Sequence, residues 1–232
     1  MLGGMKRMKE IIKLENVSVK FKNKELYSNI NFSVEKGKCI GFIGMNGAGK
    51  SVLFQVISGL MKPTNGNVWV NGTKLGVDEN DFPDNVGILI NQPGYIDYYS
   101  GLKNLKLLAQ IKNIITENEI IETLKLVGLN PEDKTPVKKY STGMKQKLGI
   151  AQAIMENQDI IVLDEPYNAL DYQTNRDITA LLKKLKNQGK TILLTSHQHE
   201  YLEHLCDTMY FIGNGTIVNF DDEMKKKYFE AW

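Results

Sequence analysis

Short apolar stretches alternate with longer amphipathic ones along most of the chain, and their period separates strands from helices. In the first half, four segments either alternate between apolar and polar positions or run continuously apolar, so we predict strands over 11–21, 30–34, 39–43 and 86–90. The third of these runs is bounded by glycines, which is typical of a buried central strand. Asn71-Gly72 favours a type I′ turn, so 68–70 should pair with 73–75 as a hairpin.

The second half of the chain changes its period twice. From residue 102 to about 155 the pattern is helical, with a break at Gly128 and Pro131, whose order is the one preferred at a helix C-terminus. Beyond this segment strands and helices alternate. We predict strands over 160–163 and 191–195, helices over 175–185 and 199–205, and a final hairpin that joins 209–212 to 216–218.

This order of elements predicts an α/β fold in a single domain that spans residues 1–232. A parallel sheet forms the core, an antiparallel β subdomain lies at the front, and an α-helical subdomain is inserted. We expect the core with its antiparallel layer to take about 1–97 and 156–232, and the helical subdomain to take about 98–155.

The composition narrows the class of protein. There are 29 basic and 27 acidic residues, so the formal charge of +2 lacks the basic excess of a nucleic-acid binder. Cys39 and Cys206 are too few for a disulfide framework, which favours a reducing cytosol. No apolar run reaches the roughly 18–20 residues that span a bilayer, and the start of the chain does not resemble a secretory signal. We therefore expect a cytoplasmic protein, which must act from the membrane surface through a partner if it serves a membrane process.

A phosphate-binding loop is predicted between the strand 39–43 and a helix over 50–58. The segment reads Gly44-Met45-Asn46-Gly47-Ala48-Gly49-Lys50-Ser51 and fits G-x-x-x-x-G-K-[ST]. The glycines let several backbone N–H groups point at one anion, and the helix N-terminus adds positive potential. Lys50 can reach the β- and γ-phosphates, and the Ser51 hydroxyl can ligate Mg²⁺. The alternative interpretation is a glycine-rich turn that only begins a helix.

Two carboxylates, Asp164 and Glu165, follow the predicted buried strand 160–163. Ligands of open α/β sheets collect beyond the carboxyl ends of the strands. Asp164 is therefore placed to hold Mg²⁺, and Glu165 to polarise a water that attacks the γ-phosphate. The alternative is an acidic turn after a core strand.

With these motifs the chain resembles the ATP-binding cassette (ABC) ATPases, which have the P-loop NTPase fold, over nearly its whole length. The segment Tyr140-Ser141-Thr142-Gly143-Met144 is similar to the family signature, usually Leu-Ser-Gly-Gly-Gln, at Ser141 and Gly143. Ser141 is also a natural N-cap for the helix that follows. The resemblance implies that this helix end contacts a γ-phosphate. The three departures from the signature affect the strength of that contact more than its existence.

Further positions match motifs of the family in the family's order. Phe21 stands where an aromatic residue stacks on adenine, with Tyr27 as the alternative. Gln92 resembles the glutamine that contacts Mg²⁺ or the attacking water and relays contact with the membrane subunit. Asp171 belongs to a segment like the loop that crosses between two subunits at the nucleotide. His197 stands where a histidine contacts the γ-phosphate and aligns the catalytic carboxylate with water.

The resemblance also implies a function and partners. A chain of this family hydrolyses ATP to ADP and phosphate with Mg²⁺ and pairs head to tail with a second copy, so that two ATP molecules lie at the interface. It powers a separate transmembrane permease from the inner face of the cell membrane. The segments around Ser141 and Gln92 look more like those of bacterial export cassettes, such as the ones for peptide antibiotics, so we expect an exporter and no nucleic-acid partner.

Three other functions are consistent with parts of the sequence, and the sequence argues against each of them. A soluble cassette ATPase that acts on nucleic acid or ribosomes is opposed by the near-neutral charge and by the lack of long coiled coils or a second cassette. A P-loop kinase for a small metabolite would lack the signature and the Asp-Glu pair. A zinc site would have to use residues whose spacings do not match the usual zinc frames: His197, His199, His204 and Cys206.

Overall fold

A computed structural model describes residues 10–22, 24–77, 81–91, 94–168 and 170–230. Its strands are β1 (Glu10–Phe21), β2 (Lys24–Glu35), β3 (Cys39–Ile43), β4 (Asn65–Val70), β5 (Thr73–Lys74), β6 (Val86–Leu89), β7 (Ile160–Leu163), β8 (Thr191–Thr195), β9 (Thr208–Gly213) and β10 (Thr216–Asn219). Its helices are α1 (Lys50–Ile57), α2 (Gly101–Lys112), α3 (Glu117–Leu126), α4 (Thr142–Ile154), α5 (Tyr172–Asn187), α6 (His199–Leu205) and α7 (Asp222–Glu230).

The larger sheet has the strand order β10-β9-β3-β8-β7-β6. All of its neighbouring pairs are parallel except the terminal hairpin of β9 and β10. Every residue of β3, β7 and β8 is buried, as expected for strands that are covered on both faces. The predictions of an α/β fold and of a buried central strand at 39–43 are confirmed.

The smaller sheet is antiparallel, with the order β2-β1-β4-β5. The Asn71-Gly72 turn has positive φ at both residues, 53° and 82°, as a type I′ hairpin requires. The strand β2 begins at Lys24 and is therefore longer than the predicted 30–34. Its alternation of buried and exposed residues is interrupted at Ser28 and Asn29, and Asn29 has a left-handed φ of 51°. This irregularity explains why the pattern predicts only the end of the strand.

The helices of the segment 101–154 begin at hydroxyl side chains. Ser100, Thr116 and Ser141 each accept a hydrogen bond from the backbone N–H three residues further on. Between α3 and α4, Gly128 has a φ of 75° directly after the last helical turn, and Pro131 follows. The break at Gly128 and Pro131 is therefore confirmed, but the stretch contains a second, unpredicted break between α2 and α3, where Asn113 has a left-handed φ of 52° and Thr116 caps the next helix.

The large sheet separates two hydrophobic clusters. On one face, side chains such as Ile161, Leu163 and Leu194 pack with Leu105 and Leu148 of the helical segment. On the other face, side chains of the same strands pack with α1 and with the antiparallel sheet; they include Ile40, Phe42, Val162 and Leu193. Both faces of the sheet are therefore covered, and only the ends of its strands can present residues to a ligand.

The two cysteines are distant in sequence but neighbours in space. The Sγ atoms of Cys39 and Cys206 lie 3.7 Å apart, and both residues are free thiols. In the described part of the chain, no helix combines the length and the apolar character needed to cross a membrane.

Candidate active site

Adjacent parallel strands bring three predicted motifs to one edge of the sheet. The phosphate loop follows β3, Asp164 and Glu165 follow β7, and His197 follows β8, which lies between the other two strands. A cavity of about 230 Å³ lies at this edge. It is lined by Leu26, Met45, Asn46, Gly47, Gly49, Lys50, Ser51, Val52, Asp164, Glu165 and His197.

A larger cavity of about 840 Å³ lies between α2 and α3, where Leu107, Ile121 and Pro131 are among its lining residues. It contains neither the glycine loop nor the two carboxylates at the end of β7. We therefore assign the candidate site by its chemistry, to the smaller cavity.

The phosphate loop needs glycine at two positions for different reasons. A Cβ at Gly44 would lie 2.4 Å from the carbonyl oxygen of Ile212, because β9 passes directly beside the loop. Gly49 has a φ of 107°, and a Cβ there would lie 2.8 Å from the Tyr27 hydroxyl. Tyr27 is only 1% exposed, so its ring has no room to move away. The backbone shape of the loop is thus set by the strands beneath it.

We predict that Gly49→Ala destabilises the protein by about 2 to 4 kcal/mol, since it adds an overpacked contact to an unfavourable φ. Gly72→Ala is the matched control, because Gly72 also has a positive φ, 82°, and a Cβ added there would meet no other atom within 4 Å. The control should lose only about 1 kcal/mol. Urea unfolding of both variants measures the difference, and equal losses would contradict the role given to Tyr27.

Lys50 is buried and its charge is held inside the loop. Its Nζ donates to the carbonyl oxygens of Gly44 at 2.7 Å and Met45 at 3.3 Å, and lies 4.0 Å from Glu165 Oε1. Burial lowers the pKa of Lys50, and the charges of Glu165 and Asp164 oppose part of this effect. No side chain caps the N-terminus of α1, which begins at Lys50. The cationic side chain of Lys50 and the N-terminus of α1 together could bind a phosphate group.

Asp164 and Glu165 are held by one hydroxyl. Asp164 is 8% exposed, and its Oδ1 accepts a hydrogen bond from Thr195 Oγ1 at 2.7 Å. The same Oγ1 accepts from the backbone N–H of Glu165 at 2.8 Å. Glu165 has a φ of 50°, in the left-handed region that residues other than glycine and asparagine seldom adopt. Sequence reasoning does not identify Thr195; its one signal is a hydroxyl residue at the end of an apolar strand, two residues before His197.

Glu165 and His197 form a contact pair at the mouth of the cavity. His197 Nε2 lies 3.1 Å from Glu165 Oε1, and the His197 backbone N–H donates to Oε2 at 3.1 Å. Burial raises the pKa of Glu165 above its ordinary value, while His197 and Lys50 act in the opposite direction. A partly buried carboxylate with a raised pKa is suited to accept a proton from water.

The residues present fit a nucleotide with Mg²⁺. Backbone N–H groups of 44–51 and the Lys50 ammonium could hold phosphate oxygens, and Ser51 and Asp164 supply the hard oxygen ligands that Mg²⁺ prefers. Ser51 and both carboxylates line the same cavity as the loop.

The signature residues lie elsewhere. Ser141 Oγ accepts from the Met144 N–H at 3.2 Å, which confirms the N-cap, and α4 starts at Thr142. Neither Ser141 nor Gly143 lines the cavity at Lys50. A Cβ at Gly143 would lie 3.4 Å from the side chain of Thr174, on α5.

Asp171 has a local role in this conformation. Its Oδ1 accepts from the Thr174 N–H at 2.9 Å and its Oδ2 from Thr174 Oγ1 at 2.7 Å, so it is the N-cap of α5. These two hydrogen bonds lower the pKa of Asp171. The nucleotide contact predicted for Asp171 stays a prediction.

The remaining predicted residues are placed as follows. Phe21 is 45% exposed at the end of β1 and does not line the cavity, so its stacking role stays a prediction. Tyr27, the alternative, is buried beneath Gly49 and cannot present a ring face to a base. Gln92 lies outside the described residues.

Comparisons with known proteins identify the family to which these motifs belong. The family described as ABC transporter matches residues 27–168, which include the phosphate loop, Ser141 and both carboxylates. YybJ, an ABC transporter ATP-binding protein of Bacillus subtilis (strain 168), is 37% identical over 217 residues, which cover 94% of this chain and 99% of that protein. The lantibiotic transport ATP-binding protein SrtF of Streptococcus pyogenes is 33% identical over 208 residues and covers 90% of this chain and 89% of its own length.

The fold also matches those of solved ATP-binding cassettes. The dimeric post-hydrolysis state of the ATP-binding cassette MJ0796, bound to ADP and Pi, aligns with a TM-score of 0.78 at 27% identity. The alignment covers 89% of this chain and 96% of that one. The chain therefore belongs to the ABC transporter family, as one of its ATP-binding cassettes.

Proposed function

We propose that this chain binds ATP with Mg²⁺ and hydrolyses it to ADP and phosphate, and that it powers a separate transmembrane permease. The observation that carries the proposal is the convergence of the phosphate loop, two strand-end carboxylates and His197 on one cavity. A glycine-rich turn that only began a helix would not need an adjacent acidic pair and a buried lysine. The membership in the ABC transporter family supports the same conclusion.

Each residue at the cavity has a distinct role in this proposal. Lys50 and the loop N–H groups bind the β- and γ-phosphates. Ser51 and Asp164 hold Mg²⁺, which when bound neutralises charge on the phosphates. Glu165 accepts a proton from the attacking water. His197 holds the Glu165 carboxylate and donates to the transferred group.

Three other residues complete the proposed site. Gln92 contacts Mg²⁺ or the attacking water. Phe21 stacks on the adenine, for which its exposed ring is accessible. Asp171 acts near the subunit boundary, where it orders the start of α5.

A second copy of the chain is needed to complete the site. The Ser141–Gly143 segment does not line the cavity at Lys50, but Ser141 is exposed and leaves the start of α4 accessible to a partner. In a head-to-tail dimer with twofold symmetry, this helix end of one copy covers the nucleotide of the other. The solved MJ0796 cassette, which is a dimer bound to ADP and Pi, supports this arrangement.

Mixing two inactive variants tests the dimer and the reaction together. Lys50→Ala and Ser141→Arg should each be inactive alone, because each homodimer carries the same defect in both sites. A mixed dimer has one doubly defective site and one intact site, so an equal mixture should regain up to about a quarter of the wild-type sites. Phosphate release measures the recovery.

Ser100→Arg is the control for the cap, because Ser100 accepts the same kind of hydrogen bond at the start of α2 and should keep its activity alone. A mixture that is no more active than its separate components would refute the shared site.

The permease contact is proposed on the segment that follows Gln92. Large apolar side chains are exposed there, on α2 and directly after α2: Ile96, Tyr98, Leu107, Ile111 and Ile114. An exposed apolar surface of this kind is typical of a protein contact. Docking there would place the chain on the cytoplasmic face of the membrane. Since the related SrtF is described as a lantibiotic transport protein, we propose an exporter of peptide antibiotics over a cassette that acts on nucleic acid or ribosomes.

A further inference from the structure

Among the hydrogen bonds of the described residues, only one group on a neighbouring strand contacts both Asp164 and Glu165. This group is the hydroxyl of Thr195. Thr195 ends β8, which lies beside β7 in the sheet, and its side chain is fully buried. Its Oγ1 donates to Asp164 Oδ1 at 2.7 Å and accepts from the Glu165 N–H at 2.8 Å. Both bonds are well within the range of strong O–H···O and N–H···O geometry.

The donated hydrogen bond fixes the orientation of the Asp164 carboxylate. A hydroxyl has a single proton, and here it is used on Oδ1. The carboxylate plane is thereby set, and its second oxygen keeps a defined direction with respect to the cavity that Asp164 lines. An Asp164 without this donor would keep a buried oxygen unpaired and could turn about its terminal torsion.

The accepted hydrogen bond holds the backbone of Glu165. With a φ of 50°, Glu165 sits in a conformation that a glutamate does not adopt unless its surroundings impose it. The bond from its N–H to Thr195 is such a constraint. The Glu165 side chain then reaches His197, whose Nε2 is 3.1 Å from Oε1. One hydroxyl therefore fixes the position of the Asp164 carboxylate relative to the backbone of Glu165, whose own carboxylate faces His197.

We propose that Thr195 is a positioning residue for the ATPase reaction: it acts on the rate of the chemical step by fixing Asp164 and Glu165, and not on ATP affinity. This inference rests on the function proposed above. It concerns a residue that touches neither phosphate nor water itself, since Thr195 does not line the cavity.

Thr195→Val, which keeps the shape but removes donor and acceptor, tests the proposal. We expect kcat to fall by about ten- to a hundredfold, with the KM for ATP within about threefold of wild type. The Mg²⁺ concentration for half-maximal rate should rise, because Asp164 is no longer oriented. Thr195→Ser retains the hydroxyl and should restore both parameters. Activity of Thr195→Val at the wild-type level would overturn the proposal, and so would failure of Thr195→Ser to restore it.

Thr191→Val is the matched control for burial. Thr191 is also fully buried, at the opposite end of β8, and its hydroxyl accepts from the Gly37 N–H at 2.9 Å. It should lose stability but retain the wild-type kcat and Mg²⁺ dependence. Equal losses of kcat in the two valine variants would mean that Thr195 acts only through folding, which contradicts positioning.

Hydrogen exchange of the Glu165 amide provides a measurement that does not depend on turnover. Thr195→Val should speed this exchange by at least about tenfold over wild type, while Thr195→Ser and Thr191→Val should leave it close to wild type. If wild-type protein hydrolysed no ATP, the proposed function would fail, and the exchange of the Glu165 amide would still decide whether Thr195 holds it. Unchanged exchange in Thr195→Val would overturn the proposal.

Discussion

Glu165→Gln is expected to bind ATP normally and to lose turnover by about a hundredfold or more, because the amide cannot accept a proton from water. The substitution keeps the size of the side chain and one oxygen near His197, so the cavity and the phosphate loop should be unaffected. Since γ-phosphate contacts would then persist, we also expect a stable ATP-bound dimer. The loss is expected in kcat, with little change in the dissociation constant for ATP.

Three measurements check this expectation: phosphate release, equilibrium binding of ATP, and size-exclusion chromatography with and without ATP. The control is Glu122→Gln, which removes an exposed carboxylate on α3 that pairs with Lys125 and should leave all three unchanged. A fully active Glu165→Gln would remove Glu165 from the role of proton acceptor.

Lys50→Ala is expected to weaken ATP binding by about ten- to a hundredfold or more, since it removes a charged hydrogen-bond donor to the phosphates. The carbonyl oxygens of Gly44 and Met45 accept hydrogen bonds from this ammonium and hold it inside the loop. Isothermal titration with ATP and Mg²⁺ measures the change in affinity. Unchanged binding would contradict the assignment of the loop.

The matched control for this prediction is Lys190→Ala. Lys190 is also buried, and its Nζ donates to the carbonyl oxygen of Asn157 at 2.7 Å, at the opposite end of β8 from His197. Its loss should lower stability but leave ATP affinity unchanged. A comparable loss of affinity in Lys190→Ala would show that any buried lysine has this effect, and the specific role of Lys50 would be lost.

Much of the fold follows from local pattern, because strand and helix periods reflect the faces that are buried. The fully buried β3, β7 and β8 are continuous apolar runs, and the caps at Ser141 and Gly128 are hydroxyl and glycine residues where a helix begins or ends. The first half of β2 is not predicted, because an irregularity at Asn29 breaks the alternation on which the prediction depends.

The candidate site is less predictable where it depends on contacts between distant segments. The phosphate loop is continuous in sequence, so its pattern identifies it. Thr195 forms hydrogen bonds with residues 30 and 31 positions away in the sequence. Tyr27, on β2 of the antiparallel sheet, packs beside Gly49 of the phosphate loop. Neither relation leaves a local pattern in the sequence. For Asp171, local chemistry competes with the predicted role, because its carboxylate caps α5 in this conformation.

The neighbouring, parallel arrangement of β3, β8 and β7 has a consequence for how the family can vary. Hydrogen-bonded strands repeat at about 4.8 Å, so the lateral spacing between the phosphate loop, His197 and the two carboxylates is a property of the backbone ladder. The helical segment 101–154 is inserted between β6 and β7, before the strand end that carries the carboxylates, so its length can change without altering this alignment. Insertions in that segment would therefore change the surface that this cassette offers to a partner and leave the spacing of the candidate site unchanged.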